Sequence, residues 1–324
     1  MKTKQKPTVS LIVLTWNGLE HLKDCLPSIT KQTYKDFETI VVDNGSTDGS
    51  IEYIKNNFPK FKLIENGKNL GFCKANNKGV HASKGKYVVF LNNDTELDKD
   101  FVKELVEYAE KADDNVGMLS CKMIFFNKRD HINSIGLKMF DDGTSIDDAF
   151  DVKDKGYDKP QEVFGPCGGA AFFKREALDS IKMGNDYFDS DFFIYADDSD
   201  LAFRLRLNGW KCMYVPKAKI YHKFRATCGQ ISDFGVYHGT KNKLYLIIKD
   251  YPLSLLIQKF PKIFFRQLIS MGYYLTKGKK AAFKARLTFI KNIPKMLGKR
   301  KTIQKNKTIK TKEIKKEINN KNWI

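Results

Sequence analysis

The stretch Tyr87–Thr95, YVVFLNNDT, constrains the fold more than any other, because an apolar run passes directly into two amides and a carboxylate. Four apolar residues in succession, Val88–Leu91, predict a strand that is buried on both faces, as in the centre of a parallel sheet. In an open α/β sheet, ligands bind beyond the carboxyl ends of such strands, where Asn92, Asn93 and Asp94 stand. One carboxylate among neutral amides suits a single hard cation whose other ligands are phosphate and water. An Asx-rich turn that caps the following helix is the alternative.

Strands and helices alternate through the first 115 residues. Apolar residues at spacings of three and four predict helices between the strands. Strands that alternate with helices in this way form a right-handed parallel β/α sheet. The second strand leads into Asp43–Ser50, from which Ser46 or Thr47 is predicted to cap the next helix. No GxGxxG turn follows a strand, so the dinucleotide fingerprint is missing. The strands predicted beside the central one are Val9–Leu14, Phe37–Val42 and Phe61–Ile64.

A glycine-rich turn, Phe164–Phe173, leads into a strand in the second half of the chain. The small residues Gly168 and Gly169 would let the backbone approach a ligand closely. A tight bend with packing reasons for each glycine explains the pattern equally well. Before this turn, Gly117–Phe126 is a predicted strand, and the acidic stretch Ile135–Asp151 is predicted to be a mobile loop or a hairpin.

The stretch Tyr187–Trp210 is rich in carboxylates. Asp197 or Asp198 is predicted to cap a helix whose first turn also contains Asp200. The helix dipole stabilises acidic residues at this position. A cap needs only one carboxylate, however, so three of them also suit a functional site.

A histidine ends the last predicted strands. Lys211–Val215 and Ala218–His222 are predicted as two short strands that deliver His222. A single histidine of this kind is structural unless a metal or a phosphate lies near it.

The formal net charge of +19 is concentrated near the C-terminus, because Lys277–Lys321 contains 17 Lys or Arg against two acidic residues. The preceding apolar and basic residues suit helices that lie in a membrane interface, where anionic lipid attracts each lysine by about 1 kcal/mol. The alternative is that Leu244–Tyr274 packs on the sheet and that the tail from Lys299 is solvated. The tail has neither interleaved aromatics nor a recognition module, so nucleic acid is not an expected partner.

The cysteines and the N-terminus indicate the compartment. The six cysteines, Cys228 among them, are scattered without a CxxC pair, which argues against a zinc module and a disulfide framework and suits a reducing cytoplasm. The segment MKTKQKPTVS lacks the apolar region of a signal peptide, and no stretch of about 18 apolar residues predicts a transmembrane helix. The sequence therefore predicts a cytoplasmic protein that can touch a membrane.

Taken in order over residues 8–240, these motifs resemble the family 2 glycosyltransferases. The hydrophobic and basic region that follows resembles that of the rhamnosyltransferase-like members, which act on lipid-linked glycans at a bacterial inner membrane. The motifs that carry the resemblance are Thr15-Trp16-Asn17-Gly18, VVDNGSTDGS at 41–50, NLGFCKANNKG at 69–79, FLNNDT at 90–95, the glycine loop at 165–171, FDSDFFIYADDSDLAFRLRLNGW at 188–210 and His222.

The resemblance implies the GT-A fold, an α/β fold with a mostly parallel central sheet flanked by helices. A Rossmann-like nucleotide-sugar half at about 8–115 would join an acceptor half at about 116–240 in one domain, 1–240. Amphipathic, membrane-associating helices would occupy 241–298, and 299–324 would be a basic, partly disordered tail. The implied activity is an inverting sugar transfer from a UDP- or dTDP-sugar, dTDP-rhamnose among them, to a glycan acceptor. That acceptor would be lipid-linked, and the enzyme would act in bacterial cell-surface polysaccharide synthesis on the inner face of the cell membrane.

The resemblance also implies donor-binding residues. Asp43 corresponds to the aspartate that binds the imide N–H of a uracil or thymine base, and a carboxylate is the right acceptor for that donor. Other residues would line the same pocket or belong to the loop that closes over the nucleotide. They are Thr15, Asn17 and Asp48 in the pocket, and Asn69, Gly71, Phe72, Lys74 and Asn77 in the loop.

A metal site and a general base complete the resemblance. Asn92-Asn93-Asp94 takes the place of the DXD motif, which holds Mg²⁺ or Mn²⁺ against the diphosphate, and Asn92 departs from that pattern and leaves Asp94 as the main carboxylate ligand. His222 would complete the site, since a neutral imidazole suits Mn²⁺ better than Mg²⁺. Asp198 corresponds to the general base that deprotonates the acceptor hydroxyl.

The loop that holds the acceptor and the transferred sugar would contain Gly168, Gly169, Asp197 and Asp200, with Asp197 standing where the family has glutamate. Arg204 or Arg206 would orient this acidic cluster, unless the two form a solvated helix face.

Other functions fit parts of the pattern. A polyprenyl-phosphate glycosyltransferase would use the lipid phosphate itself as acceptor, and a membrane-bound scaffold would keep a degenerate sugar-nucleotide pocket, which Asn92 alone favours. A processive polysaccharide synthase would need transmembrane helices and a QxxRW-type motif, which the sequence lacks.

Overall fold

The computed structural model describes residues 6–223 and 232–318. The N-terminal residues 1–5, Cys228 and the last part of the predicted tail, 319–324, lie outside the described residues. The elements, in chain order, are β1 (Val9–Thr15), α1 (Leu19–Thr30), β2 (Phe37–Asp43), α2 (Ser50–Asn57), β3 (Lys62–Glu65), α3 (Phe72–Ala82), β4 (Tyr87–Asn92), β5 (Thr95–Leu97), α4 (Phe101–Ala109), β6 (Val116–Phe125), β7 (Lys128–Ser134), β8 (Leu137–Met139), β9 (Ser145–Asp147), β10 (Val152–Lys153), β11 (Gln161–Val163), β12 (Ala170–Lys174), α5 (Arg175–Ser180), α6 (Asp197–Leu207), β13 (Lys211–His222), α7 (Asp233–Asp250), α8 (Leu253–Thr276), α9 (Lys280–Asn306) and α10 (Thr311–Glu317).

The predicted central strand lies in the middle of the large sheet. The strand order is β10-β7-β6-β12-β4-β1-β2-β3, so β4 lies between β12 and β1. The strands β1 to β4 are mutually parallel, while β12 runs antiparallel between β4 and β6. Val88 and Phe90 pack into the core on one face, and Val89 and Leu91 pack into the core on the other. Burial on both faces explains why this strand is apolar at every position.

The carboxyl ends of three parallel strands meet at one edge of the sheet. Thr15 at the end of β1 pairs in register with Asp43 at the end of β2. On the other side of β1, Leu14 pairs with Asn92 at the end of β4. The polar residues that follow these strands therefore share one edge, as the sequence predicts.

Several local predictions are wrong. Neither Ser46 nor Thr47 caps α2, because Gly49 precedes the helix in a left-handed conformation and Asp48 accepts from the Ser50 N–H. Neither Asp197 nor Asp198 caps α6, because the helix begins at Asp197 itself, after Ala196, whose φ is 57°.

Two predictions about strands have different outcomes. The two short strands predicted to deliver His222 form one strand, β13, with a register shift between Val215 and Lys219 against β6. The acidic stretch 135–151 contains the antiparallel hairpin β8–β9, one of its two predicted alternatives.

The C-terminal helices do not follow the predicted boundaries. The boundary at 240/241 falls inside α7 and the one at 298/299 falls inside α9. The described part of the predicted disordered tail, 299–318, is mostly helical, and Ile303 and Ile314 are buried in the core. Arg300 donates to the carbonyls of Ile248 and Tyr251, which anchors α9 to the end of α7. Among the described residues, no helix combines the length and hydropathy that crossing a bilayer requires.

Candidate active site

A fully buried carboxylate, Asp43, ends strand β2. Its Oδ1 accepts the N–H groups of Gly45 at 2.9 Å and Ser46 at 3.0 Å, which holds the carboxylate in place. Its Oδ2 is buried and has no hydrogen-bond partner among the described residues. A buried acceptor without a donor is costly, so Oδ2 suits a ligand N–H that enters from the edge of the sheet.

Asn44, which the sequence analysis did not single out, organises the loop beside this pocket. Its Nδ2 donates to Oδ1 of Asn69 at 2.9 Å, and its Oδ1 accepts the Leu70 N–H at 3.0 Å. Gly71 has a φ of 81°, and a Cβ there would lie 2.5 Å from the Phe193 ring, so only glycine fits. The loop is thus preformed against the chain segment that precedes α6. The signal in the sequence was the position of Asn44 directly after Asp43.

Three other predicted donor residues brace the backbone. Oδ1 of Asn17 accepts the Thr47 N–H at 2.8 Å, and Asp48 accepts the Leu19 N–H at 2.9 Å. These bonds join the loops after β1 and β2. The amide of Asn77 is buried and makes its hydrogen bonds to the backbone of residues 187–188. Asn77 therefore holds the loop to that segment of the chain, and its contact with the nucleotide stays a prediction.

The remaining loop residues differ in their exposure. Phe72 is half-buried and meets Phe188 edge to face at 5.9 Å between ring centroids. Lys74 is exposed in the first turn of α3, where its ammonium group is accessible to an anionic ligand. Asn93 donates to Oγ1 of Thr15 at 2.8 Å and so ties the ends of β4 and β1 together.

Asp94 and His222 meet at the end of β4 and β13. Nε2 of His222 lies 3.4 Å from Oδ1 of Asp94. The other ring nitrogen, Nδ1, lies 2.7 Å from Oδ1 of Asn133, an oxygen that can only accept. Nδ1 therefore carries the proton, and in the neutral ring the Nε2 lone pair faces Asp94. Burial raises the pKa of the Asp94 carboxyl, but a ring that is protonated at Nε2 as well lowers that pKa by its hydrogen bond and its charge, and the net pKa is lowered, which keeps the carboxyl ionised.

These two side chains fit a divalent cation that is shared with a ligand. Oδ1 of Asp94 is buried without a hydrogen bond from the described residues, and a carboxylate oxygen with an imidazole nitrogen suits Mn²⁺. An oriented imidazole whose far nitrogen donates to an amide oxygen is the usual arrangement around metal ligands. Within residues 6–223 and 232–318, no group of three His, Cys, Asp or Glu side chains could hold a metal by itself. The remaining ligands would have to come from a bound diphosphate and water.

The glycine pair 168–169 lies between this histidine and Asp198. The Gly168 N–H donates to Oδ2 of Asp198 at 3.0 Å, and a Cβ at Gly168 would lie 3.3 Å from that oxygen. A Cβ at Gly169 would lie 3.7 Å from Cε1 of His222 and 2.6 Å from Cε of Met123. The Gly169 carbonyl accepts the Asn92 N–H at 3.0 Å. The turn thus brings the base candidate and the metal-site candidate to the same place.

Asp198 lies in an environment that favours its protonation more than water does. Burial raises the pKa of its carboxyl; the N–H groups of Gly168 and Ser199 oppose the rise, and the nearby Asp147 adds to it. The resulting pKa is above the ordinary value for aspartate. A carboxylate with a raised pKa is a stronger base for a substrate hydroxyl.

Asp147 is a further site residue that the sequence analysis did not identify. It ends β9, and burial raises the pKa of its carboxyl, while its Oδ1 has no hydrogen-bond partner among the described residues. The hairpin that carries it is attached to α6 through the hydroxyls of Ser145 and Ser199, 2.6 Å apart. The only signal in the sequence was the acidic composition of 135–151, which identified no single residue.

The rest of the acidic cluster divides into two groups. Asp197 is buried, and burial together with Asp198 raises the pKa of its carboxyl well above the ordinary value. Asp200 instead accepts from Nε of Arg204 at 2.9 Å and pairs with Lys249 of α7. Asp200 is therefore part of a buried ionic network, and its role in acceptor binding stays a prediction.

Neither arginine of α6 forms a solvated face. Arg204 is 1% exposed and also donates to the carbonyls of Ile181 and Tyr187. Arg206 is 2% exposed and donates to Glu162 and the carbonyl of Phe164. Arg204 holds Asp200, as one prediction had it, whereas Arg206 serves the opposite side of the helix.

Comparisons with known proteins agree with this architecture. Residues 10–182 match the family described as Glycosyl transferase family 2. Glycosyltransferase GlyA of Streptococcus pneumoniae is 30% identical over 230 residues, which cover 64% of this chain and 32% of GlyA. The chain spans about a third of the length of the curated relatives it matches first.

Two solved structures share the fold. S. aureus TarS, crystallised with UDP-GlcNAc, has a TM-score of 0.58 at 18% identity, over 93% of this chain and 89% of the TarS chain. The mannosyltransferase PcManGT from Pyrobaculum calidifontis, in complex with GDP-Man and Mn²⁺, has a TM-score of 0.54 at 19% identity, over 93% and 88% of the two chains. The predicted GT-A architecture is confirmed.

Proposed function

The chain belongs to glycosyl transferase family 2, and we propose that it transfers a sugar from a UDP- or dTDP-sugar to a hydroxyl of a glycan acceptor, with inversion at the anomeric carbon. The observation that carries this proposal is the glycine turn 168–169, which has Asp198 on one side and His222 with Asp94 on the other. A base for the acceptor and a site for the leaving diphosphate therefore lie across one small space.

The donor would enter at the edge formed by β1, β2 and β4. The free Oδ2 of Asp43 accepts the imide N–H of the uracil or thymine ring. The loop at 69–72, preorganised by Asn44, covers the nucleotide, and Lys74 meets its phosphates. Asp94 and His222 would hold Mn²⁺ or Mg²⁺ together with the diphosphate, and the cation would neutralise the charge of the leaving group.

Asp198 carries the acceptor chemistry. Its carboxylate takes the proton of the acceptor hydroxyl, and the freed oxygen forms a bond to the anomeric carbon while the bond from that carbon to the diphosphate breaks. Attack from the side opposite the leaving group inverts the configuration in one step. Gly168 leaves space for the sugar beside the base, because a Cβ there would approach the carboxylate oxygen to 3.3 Å.

The acceptor is a lipid-linked glycan of a bacterial cell-surface polysaccharide, and dTDP-rhamnose is among the candidate donors. The support for this finer assignment is the cationic C-terminal third, which resembles the rhamnosyltransferase-like members of the family. The enzyme would work on the cytoplasmic face of the membrane, which agrees with the free thiols of the five described cysteines.

A thermal-shift panel with UDP, dTDP, GDP and CMP tests the donor site, each nucleotide with Mn²⁺ and with EDTA. A ligand at about 100 times its dissociation constant stabilises the fold by roughly 2.7 kcal/mol. We expect a metal-dependent shift with UDP or dTDP alone. A protein that responds to none of the four nucleotides would instead be a scaffold with a degenerate pocket.

A further inference from the structure

Helix α8 presents its apolar side to solvent. Six large apolar residues follow one another at helical spacing along a single stripe, and all are between 43% and 65% exposed. Leu255 and Ile263 are the buried residues of this helix, and they lie on other faces. A helix packed on a protein in water normally has the opposite arrangement. The residues of the stripe are Leu253, Ile257, Phe260, Phe264, Leu268 and Leu275.

The cations of α8 point into the protein. Nζ of Lys259 lies 2.9 Å from Oδ2 of Asp141, and Nζ of Lys262 lies 2.6 Å from its Oδ1. Nε of Arg266 lies 4.0 Å from Oδ2 of Asp142. Both aspartates are buried in the turn of the β8–β9 hairpin. At 100° per residue, the three cations lie across the helix from the apolar stripe, so ion pairing itself orients the stripe outward.

Helix α9 extends this surface. Phe283, Leu287 and Ile290 recur at helical spacing and are more than half exposed. The exposed Lys284 and Lys291 flank that stripe. Arg286 donates to Gln267 and approaches Ser270 of α8, so the two helices form one unit. We call the two exposed stripes together the α8–α9 apolar face.

The positive charge around the α8–α9 apolar face indicates what kind of surface can bind to it. Between Asp250 and Glu313 the chain has no acidic residue, while it has 17 Lys or Arg. A second copy of the chain placed on the same face would bring two such cationic segments together. An anionic bilayer offers apolar tails to the stripes and negative headgroups to the flanking lysines.

We propose that the α8–α9 apolar face lies on an anionic lipid bilayer, with both helices parallel to the membrane surface. The face leads to the active site through the β8–β9 hairpin. The hairpin pairs with α8 through Asp141 and is joined to α6 by the Ser145–Ser199 contact, one residue from Asp198. Resting on the proposed function, this arrangement places the acceptor-activating base next to the bilayer surface, where a lipid-linked acceptor is anchored.

Co-sedimentation of the full chain with vesicles tests the proposal without any measurement of activity. We expect binding to vesicles of phosphatidylcholine and phosphatidylglycerol in equal parts, and little binding to phosphatidylcholine alone. The triple variant Phe260→Ser, Phe264→Ser, Leu268→Ser should lower the affinity by more than about a hundredfold. Lys284→Gln with Lys291→Gln should lower it by roughly thirtyfold at low salt and by much less at high salt.

Two controls separate docking from folding and from catalysis. Val152→Ser removes an apolar side chain that is 41% exposed on strand β10 and should leave vesicle binding unchanged. The triple variant should melt like the unmodified chain and keep its nucleotide response, so loss of vesicle binding is independent of the donor site. Failure of the unmodified chain to bind anionic vesicles would overturn the proposal. So would a stable dimer that the triple variant converts to a monomer, because a second copy would then cover the face.

Discussion

Nε2 of His222 lies 3.4 Å from Oδ1 of Asp94, although strands β5 to β12 lie between the two residues in the sequence. The contact exists because β13 pairs with β5, which places His222 opposite Thr95. Asn133, at the end of β7, fixes the ring orientation at 2.7 Å. The candidate metal site is therefore assembled from three separate strands. In the sequence, its residues appear only as an isolated histidine and an Asx-rich turn.

Asn133→Ala should weaken the metal-dependent part of nucleotide binding by about 10–100-fold, because the His222 ring would lose the acceptor that fixes its tautomer. Calorimetry or thermal shift with UDP in Mn²⁺ and in EDTA measures this. Asn57→Ala, which removes an exposed amide from α2, is the matched control. An equal loss of affinity in EDTA would mean that the substitution disturbs the pocket and not the metal site.

Asp43→Asn should reverse the preference of the base pocket. One amide oxygen can still accept from Gly45 and Ser46, but the amide NH₂ would then face the imide N–H of uracil, donor against donor. UDP affinity should fall by about 10–100-fold, whereas the affinity for CDP should rise, because its ring nitrogen can accept a hydrogen bond from the new NH₂ group. Competition binding of the two nucleotides measures the difference. Equal losses for both would contradict the assignment of Oδ2 to the base.

Asp198→Asn should lower the rate of sugar transfer by about 10²–10⁴-fold, because the amide cannot take the acceptor proton. The thermal shift with UDP should stay unchanged, since Asp198 lies across the site from the nucleotide pocket. Asp113→Asn, an exposed change after α4, provides the control for expression and folding. Full turnover in the Asp198 variant would remove this residue from the mechanism.

Asp147→Asn should move the acid limb of the kcat profile to lower pH. The base must be ionised to act, so activity falls as the pH drops through the pKa of Asp198. Burial raises that pKa and the negative charge of Asp147 raises it further, so removing the charge lowers the pKa. Asp130→Asn, an exposed change in β7, should leave the limb in place. A limb that does not move in the Asp147 variant would show that the two carboxyls do not interact.

Lys249→Met should destabilise the fold by about 3–5 kcal/mol in urea unfolding. The buried ammonium pairs with Asp189 at 2.8 Å and with Asp200, and the variant would leave both carboxylates buried without it. Lys295→Met breaks a comparable but exposed pair with Asp191 and should cost less than about 1 kcal/mol. Similar losses for the two variants would mean that the network around Lys249 is not the buried link between α6 and α7.

The fold and one half of the site could be predicted from the sequence because both depend on local patterns. The alternation of apolar residues distinguishes strands from helices, and the polar residues that follow a parallel strand must lie at its carboxyl end. Asp94 was predicted in this way, and the roles of Asp43 and Asp198 were predicted from the family resemblance of their motifs. The helices of the C-terminal third were predicted too, although their boundaries were not.

The tertiary structure decided the partners of the charged and amide side chains. Polar residues of the kinds found in binding sites instead bond to backbone groups or form buried ion pairs. These residues are Asn77, Asp200, Arg204 and Arg206. Asp147 lies near Asp198 because of the β8–β9 hairpin, and the sequence of this hairpin contains no recognisable motif.

The same holds for helix α8, whose cations turn inward because Asp141 and Asp142 are buried beneath it. Periodicity shows which side of a helix is apolar, but the position of opposite charges brought close by the fold decides which side faces the protein. A sequence pattern reports neighbours a few residues apart, whereas Coulomb attraction and burial act between residues that only the fold brings within a few ångströms.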